Sequence, residues 1–286
     1  MIRPRYPSFR SVLERGAVVR VAGAHCALVG LLARDSGFDA VWASSFEISA
    51  AHGLPDSSLL TMTEYLTEAA AIQKMLDIPV VADCDTGFGD NLNVVHMVHE
   101  YERAGITAVC IEDKIFPKMN SFAENAHTLL NIELFCGKIR VAKQAQSDPD
   151  FFVIARTEAL ISGLGIDEAL RRARAYEAAG ADAVLIHSKA RSPEQIEEFL
   201  AAWDGGCPVV IVPTTYPDWH VDDAAKAGVS VVIYANQGLR ATVGTLRSTF
   251  GSILEHGSTA HLEGEIPSVQ EIFALQQLAD WQKLGA

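Results

Sequence analysis

The chain has 286 residues, of which 49% are hydrophobic and 21% charged, and its formal net charge is −13. This length can bury the core of one large domain, and the composition is not that of a disordered chain. The acidic charge argues against nucleic acid or an anionic membrane surface as a partner, and no apolar run approaches the ~20 residues of a membrane span. The N-terminal stretch lacks an apolar signal segment, and the cysteines form no Cys-x-x-Cys pair, so we expect reduced thiols in a cytoplasmic protein.

Eight short apolar runs, rich in β-branched residues, recur along the chain. They are continuous rather than alternating, which is typical of parallel strands buried on both faces. The runs cover residues 18–22, 40–44, 78–83, 108–112, 151–156, 183–187, 209–213 and 229–234. Helix-forming stretches lie between them, of which 168–179 is amphipathic.

A local motif precedes several of these strands: a helix ends at a glycine and a strand follows at once. It recurs at Gly37, Gly105, Gly180 and Gly228. A glycine after the last helical turn ends a helix readily, because it adopts a positive φ without strain. This repeated joint, in a chain with eight strands, predicts an α/β fold, a (β/α)8 TIM barrel, whereas a doubly wound open sheet is the alternative. We expect one domain over residues 1–286, with a C-terminal helical extension from about residue 267.

The third strand ends in two carboxylates, Asp83 and Asp85, followed by a turn that contains Gly87. Residues two apart on a strand point to the same side, so the carboxylates repel each other unless a cation lies between them. The pair therefore predicts a divalent metal site. The alternative is structural, with Asp85 capping the next helix, although capping needs only one carboxylate.

Polar side chains follow most of the other strands. In a barrel, the chemistry gathers at the C-terminal ends of the strands. Asp56, Asp83, Asp85 and Glu112 form an all-oxygen set that suits Mg²⁺ or Mn²⁺ better than Zn²⁺. The other candidates at these ends are Trp42, Ser44, Ser45, Phe46, Arg156, Glu158, His187 and Asn236.

Two of these side chains have an obvious chemical use. The guanidinium of Arg156 suits a carboxylate or a phosphoryl group, and His187 can donate a hydrogen bond to an oxyanion. Each has a structural alternative: Arg156 could form a buried pair with Glu158, and His187 could be a core histidine. The long segment 114–130 is a candidate lid that carries Lys118 and Asn120 into the site, or else an ordinary surface loop.

The motifs resemble one known family. The stretch Glu112-Asp-Lys-Ile-Phe-Pro-Lys-Met-Asn-Ser121 resembles the Glu-Asp-Lys-x5-Asn-Ser signature of phosphoenolpyruvate mutases. Asp83-x-Asp-Thr-Gly-Phe-Gly is similar to the metal motif of the wider isocitrate lyase and phosphoenolpyruvate mutase superfamily. The resemblance runs from about residue 10 to residue 276. It implies the barrel, with its last helix exchanged between subunits, and a homodimer or homotetramer.

The resemblance also implies roles for the site residues. Asp83 would bind Mg²⁺ directly, with Mn²⁺ as a possible substitute, and Asp56, Asp85 and Glu112 would hold metal-bound waters. A small-molecule substrate would meet two further sets of side chains. The implied catalytic set is Asp56, Lys118, Asn120, Arg156 and His187. The implied substrate-binding set is Trp42, Ser44, Ser45, Phe46, Gly87, Ser121, Glu158 and Asn236.

The lid sequence distinguishes the activities within this superfamily. The resemblance implies the interconversion of phosphoenolpyruvate and 3-phosphonopyruvate, which forms the P–C bond in phosphonate biosynthesis. Phosphonopyruvate hydrolases are the close alternative: they have threonine where this chain has Asn120, and Phe46-Glu47 resembles them more, while Ser45 stands where a glycine is usual. A carbon–carbon lyase is disfavoured because the lid has no cysteine, and a metal-dependent binding protein is the remaining, non-catalytic possibility.

Overall fold

A computed structural model describes residues 6–124 and 127–285. Eight parallel strands close into a barrel in chain order, and the last strand pairs with the first. The strands are β1 Val19–Ala24, β2 Ala40–Ala43, β3 Val80–Asp83, β4 Ala108–Glu112, β5 Phe152–Thr157, β6 Ala183–Ile186, β7 Val209–Ile211 and β8 Val231–Tyr234. Each predicted strand is therefore confirmed to within a few residues, and the open-sheet alternative is wrong, because β1 and β8 would be unpaired edges in it.

In the described part of the chain, one helix precedes the first strand and packs against the interior cluster, and eight helices connect the strands on the outside of the barrel. They are α1 Phe9–Leu13, α2 Ala27–Asp35, α3 Ser45–Ala51, α4 Met62–Met75, α5 Asn91–Arg103, α6 Ile132–Ala145, α7 Gly165–Ala178, α8 Glu194–Ala202 and α9 Val221–Lys226. The four predicted glycine joints all have positive φ, between 86° and 106°. The glycine motif thus sets where α2, α5, α7 and α9 end.

Alternation along the strands separates two apolar layers. One cluster takes alternate residues from every strand, for example Val21, Trp42, Val81 and Cys110, and fills the barrel interior. The intervening residues, such as Val109, pack against the surrounding helices instead. Because side chains alternate between the faces of a strand, a polar residue two positions beyond an interior apolar one must also point into the barrel.

The first compact unit ends at Gln237, and a second one begins at Gly238. Its helices are α10 Gln237–His256, α11 Val269–Leu275 and α12 Leu278–Gly285. The expected C-terminal helical extension is divided into α11 and α12, with Gln277 at φ 54° between them. None of the three helices has a buried residue, and no helix in the described part of the chain is long and apolar enough to span a membrane.

The end of β1 carries an ion pair that makes stability depend on pH. His25 Nδ1 lies 3.2 Å from the fully buried carboxylate of Glu47. Hydrogen bonds with Cys26 and Glu47 raise the pKa of His25 from 6.5 to about 9. Because the folded pKa exceeds the unfolded one, this stabilisation is complete below pH 6.5 and is lost as the pH rises through 9.

We therefore expect His25→Gln to lower the urea midpoint at pH 6 and to have a progressively smaller effect up to pH 9.5. Urea unfolding of both proteins across this range measures it. His96→Gln, at an exposed position within α5, serves as the control and should leave the midpoint nearly unchanged at every pH. A His25→Gln effect that stays constant with pH would contradict the assigned pair.

Candidate active site

The mouth of the barrel is polar because, on several strands, the next inward-pointing residue after the apolar layer is a charged or polar one. Asp83 follows Val81 by two residues, and Arg156 likewise follows Ile154. Glu112 and His187 stand in the same relation to Cys110 and Leu185. The side chains of strands β3 to β6 therefore converge above the apolar interior, as the sequence predicts.

Asp83 and Asp85 are held in different ways. Asp83 Oδ2 accepts hydrogen bonds from the hydroxyl of Ser45 at 2.8 Å and from its backbone N–H at 3.3 Å. Asp85 has φ 48° and accepts from the Ser58 hydroxyl at 3.0 Å. The N-cap of α5 is Asp90, so the alternative that Asp85 caps this helix is wrong.

The turn after β3 depends on a glycine. Gly87 has φ 85°, and a Cβ at this position would lie 2.7 Å from Val94 Cγ2. Both facts exclude a larger side chain. Gly87 thus fixes the path of the loop that carries Asp85, and its predicted contact with substrate stays a prediction.

The segment that was predicted to be a lid lies closed over the mouth of the barrel. Lys118 Nζ lies 2.7 Å from Asp56 Oδ1, 3.2 Å from Asp85 Oδ1 and 3.3 Å from Ser45 Oγ. Asn120 Nδ2 donates to Asp56 Oδ2 at 2.7 Å. Burial alone would lower the pKa of Lys118, but the surrounding carboxylates outweigh it and raise the pKa well above its usual value. A buried, paired lysine is not typical of an ordinary surface loop, so the lid interpretation is favoured.

A second cluster centres on Glu158, which is fully buried. Its carboxylate accepts from Arg156 Nε at 2.6 Å, lies 2.9 Å from His187 Nδ1 and 3.0 Å from Lys114 Nζ, and also accepts from the Ser121 hydroxyl. Burial alone would raise the pKa of Glu158, but Arg156, His187 and Lys114 hold it well below its usual value. The expected Arg156–Glu158 pair is therefore present.

Arg156 and His187 still have capacity for a ligand. Arg156 Nη2 lies 2.8 Å from His187 Nδ1. Burial is the main cause that lowers the pKa of His187, and the positive charge of the Arg156 guanidinium lowers it further. His187 is therefore neutral at pH 7. Its Nε2 is buried and has no hydrogen-bond partner. In the tautomer that accepts from Arg156 at Nδ1, the Nε2–H is a free donor.

The two clusters together carry an excess of negative charge. The buried carboxylates are Asp56, Asp83, Asp85, Glu112 and Glu158, and the cations are the buried Lys114 and Lys118 and the largely buried Arg156. Burial raises the pKa of Asp83, and it raises that of Asp85 to about 6. The formal excess of two negative charges matches one divalent cation.

The donor set fits Mg²⁺ in a hydrated form. Carboxylate oxygens of Asp85 and Glu112 are buried without a hydrogen bond, although a lysine lies within ion-pair distance of each. Among residues 6–124 and 127–285, no three His, Cys, Asp or Glu side chains converge closely enough to hold an ion. Water or substrate oxygens would have to complete the coordination, as is usual for Mg²⁺.

The remaining predicted residues lie around these clusters. Ser44 is the N-cap of α3 and accepts from Glu47 N–H at 3.2 Å, and Asn236 Nδ2 donates to Thr214 Oγ1 at 3.2 Å. Trp42 is buried in the barrel interior, and Phe46 is partly exposed. Hydrogen bonds do not link these four residues to the metal-site carboxylates in the described part of the chain.

Two important residues were not among the sequence candidates. Lys114 Nζ donates to Met119 O at 2.9 Å and to Ser121 Oγ at 2.7 Å, and so ties the lid to Glu158. The buried Asp113 accepts from Glu158 N–H at 2.9 Å and thereby joins the ends of β4 and β5. Both belong to the Glu-Asp-Lys motif, which is the signal that could have identified them.

A closed (β/α)8 barrel with a lid, and with an excess of carboxylates at its mouth that suits a bound cation, defines an enzyme of the barrel class. The sequence model of the phosphoenolpyruvate phosphomutase family matches residues 9–254. The chain belongs to this family, within the phosphoenolpyruvate mutase and isocitrate lyase superfamily.

Similar proteins carry two different activities. Phosphonopyruvate hydrolase of Variovorax sp. (strain Pal2) is 45% identical, over 94% of this chain and 93% of that protein. The crystal structure of phosphoenolpyruvate phosphomutase from Streptomyces platensis subsp. rosaceus is 50% identical, with TM-score 0.95 and 96% of each chain covered. A phosphonopyruvate hydrolase structure with oxalate and Mg²⁺ is 44% identical, with TM-score 0.91 and coverage of 96% and 95%. The resemblance seen in the sequence is therefore confirmed at the level of the family.

Proposed function

We propose that the chain is a phosphoenolpyruvate phosphomutase, which interconverts phosphoenolpyruvate and 3-phosphonopyruvate. The observation that carries this proposal is the position of Asn120, where the mutase signature differs from the hydrolases. Its backbone N–H donates to Asp56 O at 3.0 Å, and its Oδ1 accepts from Phe122 N–H at 3.0 Å. Asn120 is thus fixed at the mouth of the site by contacts from both sides.

The substrate's two anionic ends would meet separate groups. Ser44 and Ser45 at the start of α3 would bind the carboxylate of the pyruvyl unit. Arg156 and His187 would bind the phosphoryl group, the first through its charge and the second through Nε2–H. The remaining predicted contacts would line the pocket between them: Trp42, Phe46, Gly87, Ser121, Glu158 and Asn236.

Asp83, Asp85, Glu112 and Asp56 would hold the Mg²⁺, and Mn²⁺ would substitute because it accepts the same oxygen ligands. The bound cation would supply positive charge to the oxygens of a pyruvate enolate. The structure of a related hydrolase with Mg²⁺ and oxalate supports this choice of metal.

The reaction moves one phosphoryl group within the substrate. The bond between phosphorus and the enol oxygen breaks, and a bond from phosphorus to the methylene carbon forms. Phosphoryl transfer passes through a loose transition state, so positioning and charge stabilisation matter more than covalent help. Arg156, His187 and Asn120 would hold the phosphoryl group while the enolate turns its carbon towards it. The closed lid would keep water away.

Phosphorus NMR of the purified protein with phosphonopyruvate and Mg²⁺ tests the assignment. A mutase converts the phosphonate signal to that of phosphoenolpyruvate. Stoichiometric inorganic phosphate, together with pyruvate, would overturn the proposal in favour of the hydrolase. The hydrolase is the second candidate because a hydrolase is 45% identical over most of the chain.

We also propose assembly as a homodimer or homotetramer in the cytoplasm, with the last helix of the barrel exchanged between subunits. The five cysteines are free, which fits a reducing compartment. Val243, Leu246, Phe250 and Leu254 are all exposed and lie on one face of α10 at helical spacing. Such a stripe is typical of a surface that is covered in an oligomer.

The apolar stripe gives a direct prediction for assembly. Replacing Leu246 and Phe250 together with aspartate should convert the oligomer to monomers, because charges would enter the apolar contact. Sedimentation velocity measures the change. Ser248→Asp, on the opposite face of α10, should leave the oligomer intact. A double variant that sediments like the wild type would exclude this face as the contact.

A further inference from the structure

The lid places one aromatic side chain directly over the phosphoryl-binding cluster. The rings of Phe122 and His187 make an edge-to-face contact, with centroids 5.6 Å apart and planes at 86°. Phe122 is 44% exposed, whereas His187 is 3% exposed. The phenyl ring therefore lies between the imidazole and the solvent rather than in an apolar core.

Contacts on the preceding two residues fix the position of this ring. Asn120 is bonded to Asp56, and its Oδ1 accepts from the backbone N–H of Phe122 at 3.0 Å. The Ser121 hydroxyl accepts from Lys114 Nζ at 2.7 Å and from Arg156 Nη2 at 3.0 Å. The ring is thus held over the site by polar bonds of its neighbours whenever the lid is closed.

The burial of His187 Nε2 shows what the ring excludes. This nitrogen is buried and has no hydrogen-bond partner, so in the closed protein it is shielded from bulk water. Among the described lid residues, Phe116 and Met119 are also exposed and apolar, at 49% and 42%, but they make no ring contact with His187. Of these three exposed side chains, Phe122 is the one whose ring contacts His187.

We propose that Phe122 is a specificity-determining residue that keeps water from the phosphoryl group and so favours isomerisation over hydrolysis. The proposal rests on the phosphomutase function proposed above. In the reaction that Phe122 suppresses, a water oxygen bonds to phosphorus and the C–P bond breaks, with its electron pair going to carbon. One water proton ends on that carbon, which gives pyruvate, and the other stays on the phosphate.

The test compares product ratios, which a loss of stability alone would not change. Wild type, Phe122→Ala, Phe122→Leu and Phe122→Tyr are each given phosphonopyruvate and Mg²⁺. Phosphorus NMR then follows the initial rates of phosphoenolpyruvate and inorganic phosphate formation, after subtraction of the enzyme-free rate. Removal of the ring should raise the phosphate to phosphoenolpyruvate ratio by about tenfold or more in Phe122→Ala. Phe122→Tyr, which keeps the ring, should stay close to the wild type.

Met119→Ala is the matched control, because it removes an exposed apolar side chain from the same lid. Its product ratio should equal that of the wild type. An unchanged ratio in both Phe122→Ala and Phe122→Leu, or an equal rise in Met119→Ala, would overturn the role of Phe122 while leaving the phosphomutase intact. A wild type that forms only phosphate and pyruvate would instead overturn the phosphomutase assignment, and the role of Phe122 with it.

Discussion

Replacing Asp83 with asparagine should lower kcat for phosphonopyruvate by roughly 10³-fold or more. A metal ion bound at Asp83 would stabilise negative charge in the transition state, and the loss of that stabilisation costs several kcal/mol. Asp83 lies at the centre of the site: Ser45 donates to it twice, and Lys118 Nζ reaches the same Ser45 hydroxyl. An asparagine oxygen can still accept from Ser45, but it brings no negative charge to a cation. Steady-state rates at saturating Mg²⁺ measure the loss.

The same substitution should leave the metal-free fold at least as stable. Burial raises the pKa of Asp83, so its charged form is unfavourable in the folded protein, and the neutral amide removes that cost at pH 7. A ligand that binds only the folded state raises the unfolding midpoint. Mg²⁺ should therefore raise the midpoint of the wild type and have a much smaller effect on Asp83→Asn.

Asp90→Asn is the control for this prediction. Asp90 belongs to the same loop, but it is exposed and caps α5, a role that asparagine fills equally well. Its rate and its response to Mg²⁺ should match the wild type. If Asp83→Asn keeps both full activity and the Mg²⁺-dependent midpoint, Asp83 is not the metal ligand.

The barrel could be predicted because its signals are local. Continuous apolar strands, glycine-terminated helices and the number of repeats specify eight parallel strands. The alternation that buries Val81 and Ile154 also aims Asp83 and Arg156 into the mouth. The carboxylates and the arginine could therefore be assigned to one site before any contact was known.

The partners of those residues could not be predicted, because they come from distant parts of the chain. Lys118 meets Asp56 across 62 residues, and Ser121 meets Glu158 across 37. Nothing in the local pattern around Ser58 indicates that its hydroxyl donates to Asp85. The pose of the lid depends on these long-range bonds, so the ring of Phe122 over His187 became visible only in three dimensions.

Glu158→Gln should produce the largest loss of stability in the molecule, about 3–5 kcal/mol in the free energy of unfolding, because it leaves buried cations without their carboxylate. Arg156 Nε and Lys114 Nζ lie 2.6 and 3.0 Å from the carboxylate oxygens. Activity should fall as well, since the same carboxylate orients Arg156, which in turn donates to His187 Nδ1. Urea unfolding at pH 7, with the rate measured in parallel, gives both effects.

The pH dependence separates this ionic role from a loss of packing. The folded pKa of Glu158 is well below the usual value of 4.5, so the carboxylate contributes stability above pH 4.5 and loses it as the pH falls towards the folded pKa. The difference between wild type and Glu158→Gln should therefore be full at pH 7 and smaller at pH 4. Glu168→Gln, which removes a more exposed carboxylate paired with Arg171 and Arg172, should cost at most about 1 kcal/mol. An equal loss in the two variants, or a Glu158→Gln effect that does not change with pH, would show that the Glu158 charge does not hold the cluster together.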